Sequence, residues 1–198
     1  MVSKVPPDMG KMGTVLVTGA AGCIGAWVVG ERAKAGLPVH VFGLSDDRRR
    51  LRLLLDDESA ASVPWTTGDI ADFDAVTRAV EASGATAVVH LAALQVPFCR
   101  ADPVAGARAN VVGQVNVLEA ARSAGIRNVV YASSVAALPV AGAARPSTLY
   151  GVFKQADEGA ADIYWRDWGV ASVGLRPHTV YGAGRDQGLT SAPTRAMV

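Results

Sequence analysis

The chain carries only two cysteines, Cys23 and Cys99, among 198 residues. They stand far apart and outside any metal-ligand spacing, which argues against a disulfide scaffold and a structural zinc site and points to a reducing, cytoplasmic setting. Charge of one sign is also missing. Nineteen Lys and Arg face 18 Asp and Glu, a net charge of +1, so no basic field exists to hold nucleic acid or an anionic membrane. No apolar run reaches the roughly 18 residues of a membrane-crossing helix, and the first dozen residues lack the apolar stretch of a signal peptide. Aromatics are sparse at 6%, whereas hydrophobic residues make up 50% and glycines number 21. That is enough for one well-packed core and too short for two substantial ones, so function must come from a local site.

Residues 1–12 read as a flexible leader. Beyond them, short Val-rich runs alternate with segments of helical spacing, the pattern of a parallel sheet covered on both faces. Strands are expected at Thr14–Thr18, Val39–Gly43, Val63–Thr67, Ala87–Leu91, Asn128–Ala132 and Ala171–Arg176. Helices are expected at Cys23–Ala35, Asp47–Leu55, Asp72–Ser83, Pro103–Ala124 and Leu149–Trp168, several followed by a glycine suited to a left-handed cap: Gly36, Gly84, Gly125 and Gly169. The fold class is therefore α/β, a Rossmann-type doubly wound sheet of six parallel strands over residues 13–182, with its ligand at the carboxyl ends of the strands.

Directly after the first strand stands Thr18-Gly19-Ala20-Ala21-Gly22-Cys23-Ile24-Gly25, with glycines spaced three apart and an apolar helical run following. Such glycines let the backbone approach a pyrophosphate, and the N–H groups and positive dipole end of the new helix stabilise its charge. Gly19, Ala21, Gly22, Cys23, Ile24 and Gly25 are thus candidate dinucleotide contacts. A ribose-binding carboxylate is expected about 20 residues further on. That position is Gly43, which has none, while Ser45 with Arg48 or Arg49 could meet a 2′-phosphate and Asp46 or Asp47 could swing in. NAD and NADP both remain open. The run Arg48-Arg49-Arg50 also reads as the solvated face of a helix.

Downstream lie Ser133-Ser134 at the end of the fifth strand and Tyr150-Gly151-Val152-Phe153-Lys154 at a helix start. Four residues apart, Tyr150 and Lys154 share one helix face. A phenol titrates near ~10, so a neighbouring ammonium is needed to favour the phenolate near neutral pH.

These motifs, with Gly68-Asp69-Ile70, His90-Leu91-Ala92-Ala93, Asn110-Val111-Val112-Gly113, Tyr131-Ala132-Ser133-Ser134 and Arg176-Pro177-His178-Thr179-Val180-Tyr181-Gly182, make a series that resembles the extended short-chain dehydrogenase/reductase, or NAD-dependent epimerase/dehydratase, family. The resemblance implies that Tyr150 is the catalytic acid/base, that Lys154 lowers its pKa and holds the nicotinamide ribose, and that Ser134 bonds the reacting oxygen. It further implies that Asn110 orders a relay water, that Asp69 and Ile70 meet the adenine end, that Leu91, Ala92 and Ala93 line the cleft, and that Pro177, Thr179 and Val180 flank the nicotinamide. Gln95, Phe98 and Arg100, after the fourth strand, are substrate candidates. His90 reads as a packed strand-end residue.

Two departures from the family stand out. Only 16 positions separate Ser134 from Tyr150, which implies a shortened pocket wall. Residues 183–198 resemble only the start of the family's substrate-binding lobe. The expectation is an NAD(P)-dependent oxidoreductase or epimerase/dehydratase acting by hydride transfer on a small hydroxy or keto, sugar-like substrate. The alternative is a cofactor-binding protein without redox turnover. By resemblance, the helices near 103–124 and 149–168 build a homodimer.

Overall fold

The structure, a computed structural model, describes residues 12–188 and 191–196. The expected leader, Met12 aside, lies outside the described residues. Six strands, β1 (Val15–Thr18), β2 (Val39–Gly43), β3 (Trp65–Thr67), β4 (Ala87–His90), β5 (Val129–Ala132) and β6 (Ser172–Leu175), form one sheet in the order β3-β2-β1-β4-β5-β6. Every pairing is parallel. Strand β2 has its expected bounds and the other five are trimmed at one or both ends. The order reverses where β1 lies between β2 and β4, and the carboxyl ends of those strands open the crevice in which such sheets bind ligands.

The helices are α1 (Cys23–Lys34), α2 (Asp57–Ser62), α3 (Phe73–Ser83), α4 (Val96–Ala101), α5 (Pro103–Ala107), α6 (Gly113–Ser123), α7 (Leu149–Trp168) and α8 (Ala192–Ala196). Side-chain caps set four of the starts: Asp56 accepts from Ser59 N–H, Asp72 from Ala75 N–H, Asp102 from Ala105 N–H and Thr148 from Gly151 N–H. The long helix expected over Pro103–Ala124 is α5 and α6 joined through one π-helical turn, Arg108–Val112. Helix α4 occupies the stretch of the substrate candidates, to which the sequence assigns no element, and Pro97 stands in its first turn, where a missing N–H costs nothing.

The helix expected over Asp47–Leu55 does not form. Only a 3₁₀ turn, Leu51–Leu53, is present, and α2 begins at Asp57. The acidic side chains here pair with arginines two residues on, Asp46 with Arg48 and Asp47 with Arg49, a spacing that does not face on a helix. Arg48 and Arg50 are drawn instead to carbonyls of other segments.

Alternation along the strands builds two apolar layers. Leu16, Phe42, Val88, Val129 and Tyr131 pack with Val76 and Val80 of α3, Val117 and Leu118 of α6 and Ala161 of α7. Val15, Val17, Val39 and Val41 pack on the other side with Val29 of α1, Leu51 and Val63. Each Val or Leu fully removed from water contributes roughly 1.5–3 kcal/mol, so these layers hold the short strands in register.

Candidate active site at the carboxyl edge of the sheet

The glycine turn between β1 and α1 is a tight cradle. Gly19 has φ +75°, and a Cβ there would lie 2.6 Å from the Ala92 amide nitrogen; a Cβ on Gly25 would lie 2.5 Å from the Gly19 carbonyl oxygen. Gly22 caps α1 without a side-chain bond and the first turn holds no acid, so the positive end of the helix is unopposed. Such a terminus suits an anion. Beneath the turn, Thr18 Oγ1 accepts from the Leu91 and Ala92 amides at 3.1 and 3.2 Å and lies 2.7 Å from His90 Nδ1. With two donors already on the hydroxyl, its own proton goes to His90, which must be neutral. Burial, reinforced by the Lys154 charge, pushes His90 down to about 3, and through Thr18 the neutral ring ties β4 to β1.

On the adenosine side, Ser45 is exposed and its carbonyl accepts from Trp65 Nε1. Arg48 is spent within the fold: it donates to the carbonyls of Ala60, Ala61 and Val63, pairs with Asp46 and lies over the Trp65 ring at 5.1 Å. Asp69 is exposed at the end of β3 and accepts from Ala71 N–H, while Ile70 is buried and its carbonyl accepts from Asn116. Arg50, read from the sequence only as part of a charged run, reaches the turn itself. It donates to Ala21 O and Gly184 O and pairs with Asp186.

The chemistry-bearing residues gather at the ends of β5 and β4. Ser134 follows β5, stands close enough to Tyr150 to favour its ionised form, and its Oγ accepts from Ala136 N–H. Tyr150 and Lys154 share the first turns of α7, with the ammonium 5.8 Å from the phenol ring centroid. Tyr150 is nonetheless raised, by burial first and also by the Asp157 charge, against the Ser134 bond. Lys154 is buried and donates to Asp157 Oδ2 at 3.0 Å. Asn110, in the π-helical turn, uses its amide to clamp the loop after β4, accepting from Leu94 N–H at 2.7 Å and donating to Leu94 O at 2.9 Å. π-Turns often mark functional positions; here the turn aims Asn110 at that loop. Ser133 is buried and donates to Glu158, which also holds Arg176 through two bonds.

Residues 182–188 run from the start of α1 to the loop after β4. Ala183 O accepts from Trp27 Nε1 at 3.0 Å and from Cys23, and Gly188 packs on the side chain of Gln95. Leu91 and Ala92 are half-buried against the Gly19 turn, while Ala93 is exposed; Pro177 accepts from Val135 N–H, with Thr179 and Val180 just beyond. Phe98 and Arg100 are exposed on α4. Trp27, Arg50 and Asp157 escaped the sequence reading. Two of them act across long separations that leave no local pattern, whereas Lys154 and Asp157, three apart on a helix, form a legible pair.

The chain matches the sequence profile described as the NAD dependent epimerase/dehydratase family over residues 15–197. It is 33% identical over 187 residues to UDP-glucuronate 4-epimerase 2 of Arabidopsis thaliana, covering 85% of this chain and 42% of that one. To uronate dehydrogenase of Pseudomonas syringae pv. tomato it is 31% identical over 173 residues, covering 82% and 58%. The crystal structure of UDP-glucose 4-epimerase from Thermus thermophilus in complex with NAD superposes with a TM-score of 0.69 at 32% identity, covering 85% and 55%. The chain thus spans about half the length of the relatives it matches. From the glycine cradle to the Tyr150 helix, its sequence and fold make it a member of the NAD dependent epimerase/dehydratase family.

Proposed function

We propose that the protein is an NAD-dependent oxidoreductase or epimerase/dehydratase acting on a small hydroxy or keto, sugar-like substrate. The observation that carries this reading is the convergence of Ser134, Tyr150 and Lys154 beside a glycine cradle that a Cβ at position 19 or 25 would fill. The cradle and the unopposed end of α1 would hold the dinucleotide pyrophosphate. Arg48, bound to three carbonyls and Asp46, offers no guanidinium for a 2′-phosphate, which favours NAD over NADP.

The bound nicotinamide supplies the hydride chemistry. Tyr150 takes the proton from a substrate hydroxyl or returns it to a carbonyl, and Ser134 orients the same oxygen. Lys154 favours the phenolate when its charge faces the phenol. Asn110 fixes the loop that walls the cleft, and residues 182–188 with Gln95 form its rim. UDP-sugars and free uronates, the compounds named for the relatives, are the substrates to assay. Tyr150→Phe is expected to abolish turnover and leave NAD affinity nearly unchanged; full activity in that variant would refute the assignment.

A second reading, cofactor binding without turnover, is favoured by one observation: Lys154 bonds Asp157 in preference to Tyr150. Wild-type protein that binds NAD but turns over none of these compounds would support it.

A further inference from the structure

The Lys154–Asp157 pair is almost wholly excluded from solvent, with side chains 3% and 1% exposed and Nζ to Oδ2 at 3.0 Å. Asp157 Oδ1, buried beside it, has no hydrogen-bond partner among the described residues. A half-satisfied carboxylate in such a place is costly. The fold keeps it two helical turns from Tyr150, the residue that needs a positive charge, and one turn from Lys154, which supplies it, and among the described residues no hydrogen bond runs from Lys154 to the Tyr150 oxygen. The ammonium therefore faces two groups of opposite demand, a phenol that must ionise and a carboxylate that already has.

We infer that Asp157 is a positioning residue that holds the Lys154 ammonium and compensates its charge, so that in the resting protein Tyr150 is kept protonated until other polar groups compete for that ammonium. The inference rests on the functional reading above, since it names what restrains its proposed base. Two attractions compete for one cation: Coulomb's law at these short distances favours the partner already in contact, and Asp157 is that partner. The electrostatics agree in direction. Asp157 itself is pushed up to about 6 by burial, against the pull of Lys154, and its charge raises Tyr150.

The surroundings are mixed in sign. His90 on β4 feels Lys154 and is neutral; Cys99 on α4 feels Lys154 and raises Tyr150. Tyr131 on β5 is pushed up to about 12 by burial and by Glu158 and Asp157. Glu158 is neutralised by Arg176 beyond β6, and Arg185 lowers Tyr150. Among the described residues no other carboxylate bonds Lys154.

Phenolate ultraviolet absorbance tests the inference on the full chain without cofactor. The chain has four tyrosines, so the Tyr150 signal is isolated by subtracting the same titration of each protein carrying Tyr150→Phe. Asp157→Asn, close to isosteric, is expected to lower the Tyr150 midpoint by about one pH unit; Asp157→Ser serves the same purpose should the first variant fail to fold. Glu158→Gln, which removes a neighbouring carboxylate already paired with Arg176, is expected to leave it within a few tenths of a unit. An unchanged or raised midpoint in both Asp157 variants overturns the inference, as does an equal fall in Glu158→Gln, which would report net charge alone. Because no substrate or NAD is present, a failure here leaves the turnover test of Tyr150→Phe standing, and the reverse.

Discussion

Replacing Gly19 with alanine loads two separable costs onto the cradle. The first is conformational: at φ +75° an L side chain costs about 1–2 kcal/mol. The second is steric, because the new Cβ would stand 2.6–2.8 Å from Ala92 N, Leu91 C and Ala92 Cα, all backbone atoms that cannot swing aside. Overpacking of this kind costs about 1–3 kcal/mol. Two other glycines isolate the parts. Gly36 has φ +66° with nothing within 4 Å of its Cβ position, and Gly25 meets Gly19 O at 2.5 Å without a positive φ. Gly36→Ala should therefore show the conformational cost, Gly25→Ala the steric cost, and Gly19→Ala about 2–5 kcal/mol, their sum. For a domain of this size about 1 kcal/mol moves Tm by roughly 2–4 °C, so thermal melting resolves the series. Gly159, mid-helix with open space around it, is the control; its alanine variant should be stabilised by up to about 1 kcal/mol. Gly19→Ala melting with Gly36→Ala would refute the close approach of the turn to the β4 loop.

His90 makes the protein acid-sensitive. Its folded value of about 3 lies below the ordinary 6.5, so the folded state binds fewer protons between those limits; stability is full above pH 6.5 and is lost as pH falls. By pH 4.5 the loss is about 3 kcal/mol. Asp157, raised from 3.8 to about 6, acts in the opposite sense between those values, so the difference in unfolding free energy between wild type and His90→Gln isolates the histidine; a pH-independent difference would contradict its burial. Arg48→Lys loses the Nη1 group that holds three carbonyls together with the fork on Asp46, and should lower stability by about 1–3 kcal/mol in a denaturant melt without altering the NAD to NADP preference. A changed preference with unchanged stability would mean that Arg48 faces the cofactor. Val104, Val112, Val115, Val152 and Ile163 on α5, the π-turn, α6 and α7 are exposed, and the homodimer that the family resemblance implies would cover them; a monomer in sedimentation at micromolar concentration would count against it.

Strand positions were legible because Val-rich runs between polar segments have one reading in an alternating chain, and the cradle because Gly19, Gly22 and Gly25 follow a strand and open a helix. The Asp46–Arg50 run was not. Its charges suit a solvated helix face equally well, and only the carbonyls of Ala21, Ala60, Ala61 and Val63, supplied by other segments, decide the outcome. The same holds for Arg50 and Asp186, 136 residues apart. Asn110 was singled out through the family resemblance, but its bonds to Leu94 depend on a π-turn that sequence periodicity does not register. The Lys154–Asp157 pair stands at helical spacing, yet spacing alone does not distinguish a solvated ion pair from this buried one; the burial comes from the elements packed around α7.

Whether the glycine cradle holds a dinucleotide is decided by calorimetric titration of the wild-type chain with NAD, repeated on Gly25→Ala. Saturable one-site binding by wild type and marked weakening when the cradle is filled are the expected outcome. Absence of binding by wild type, or equal binding by a folded Gly25→Ala, would contradict it.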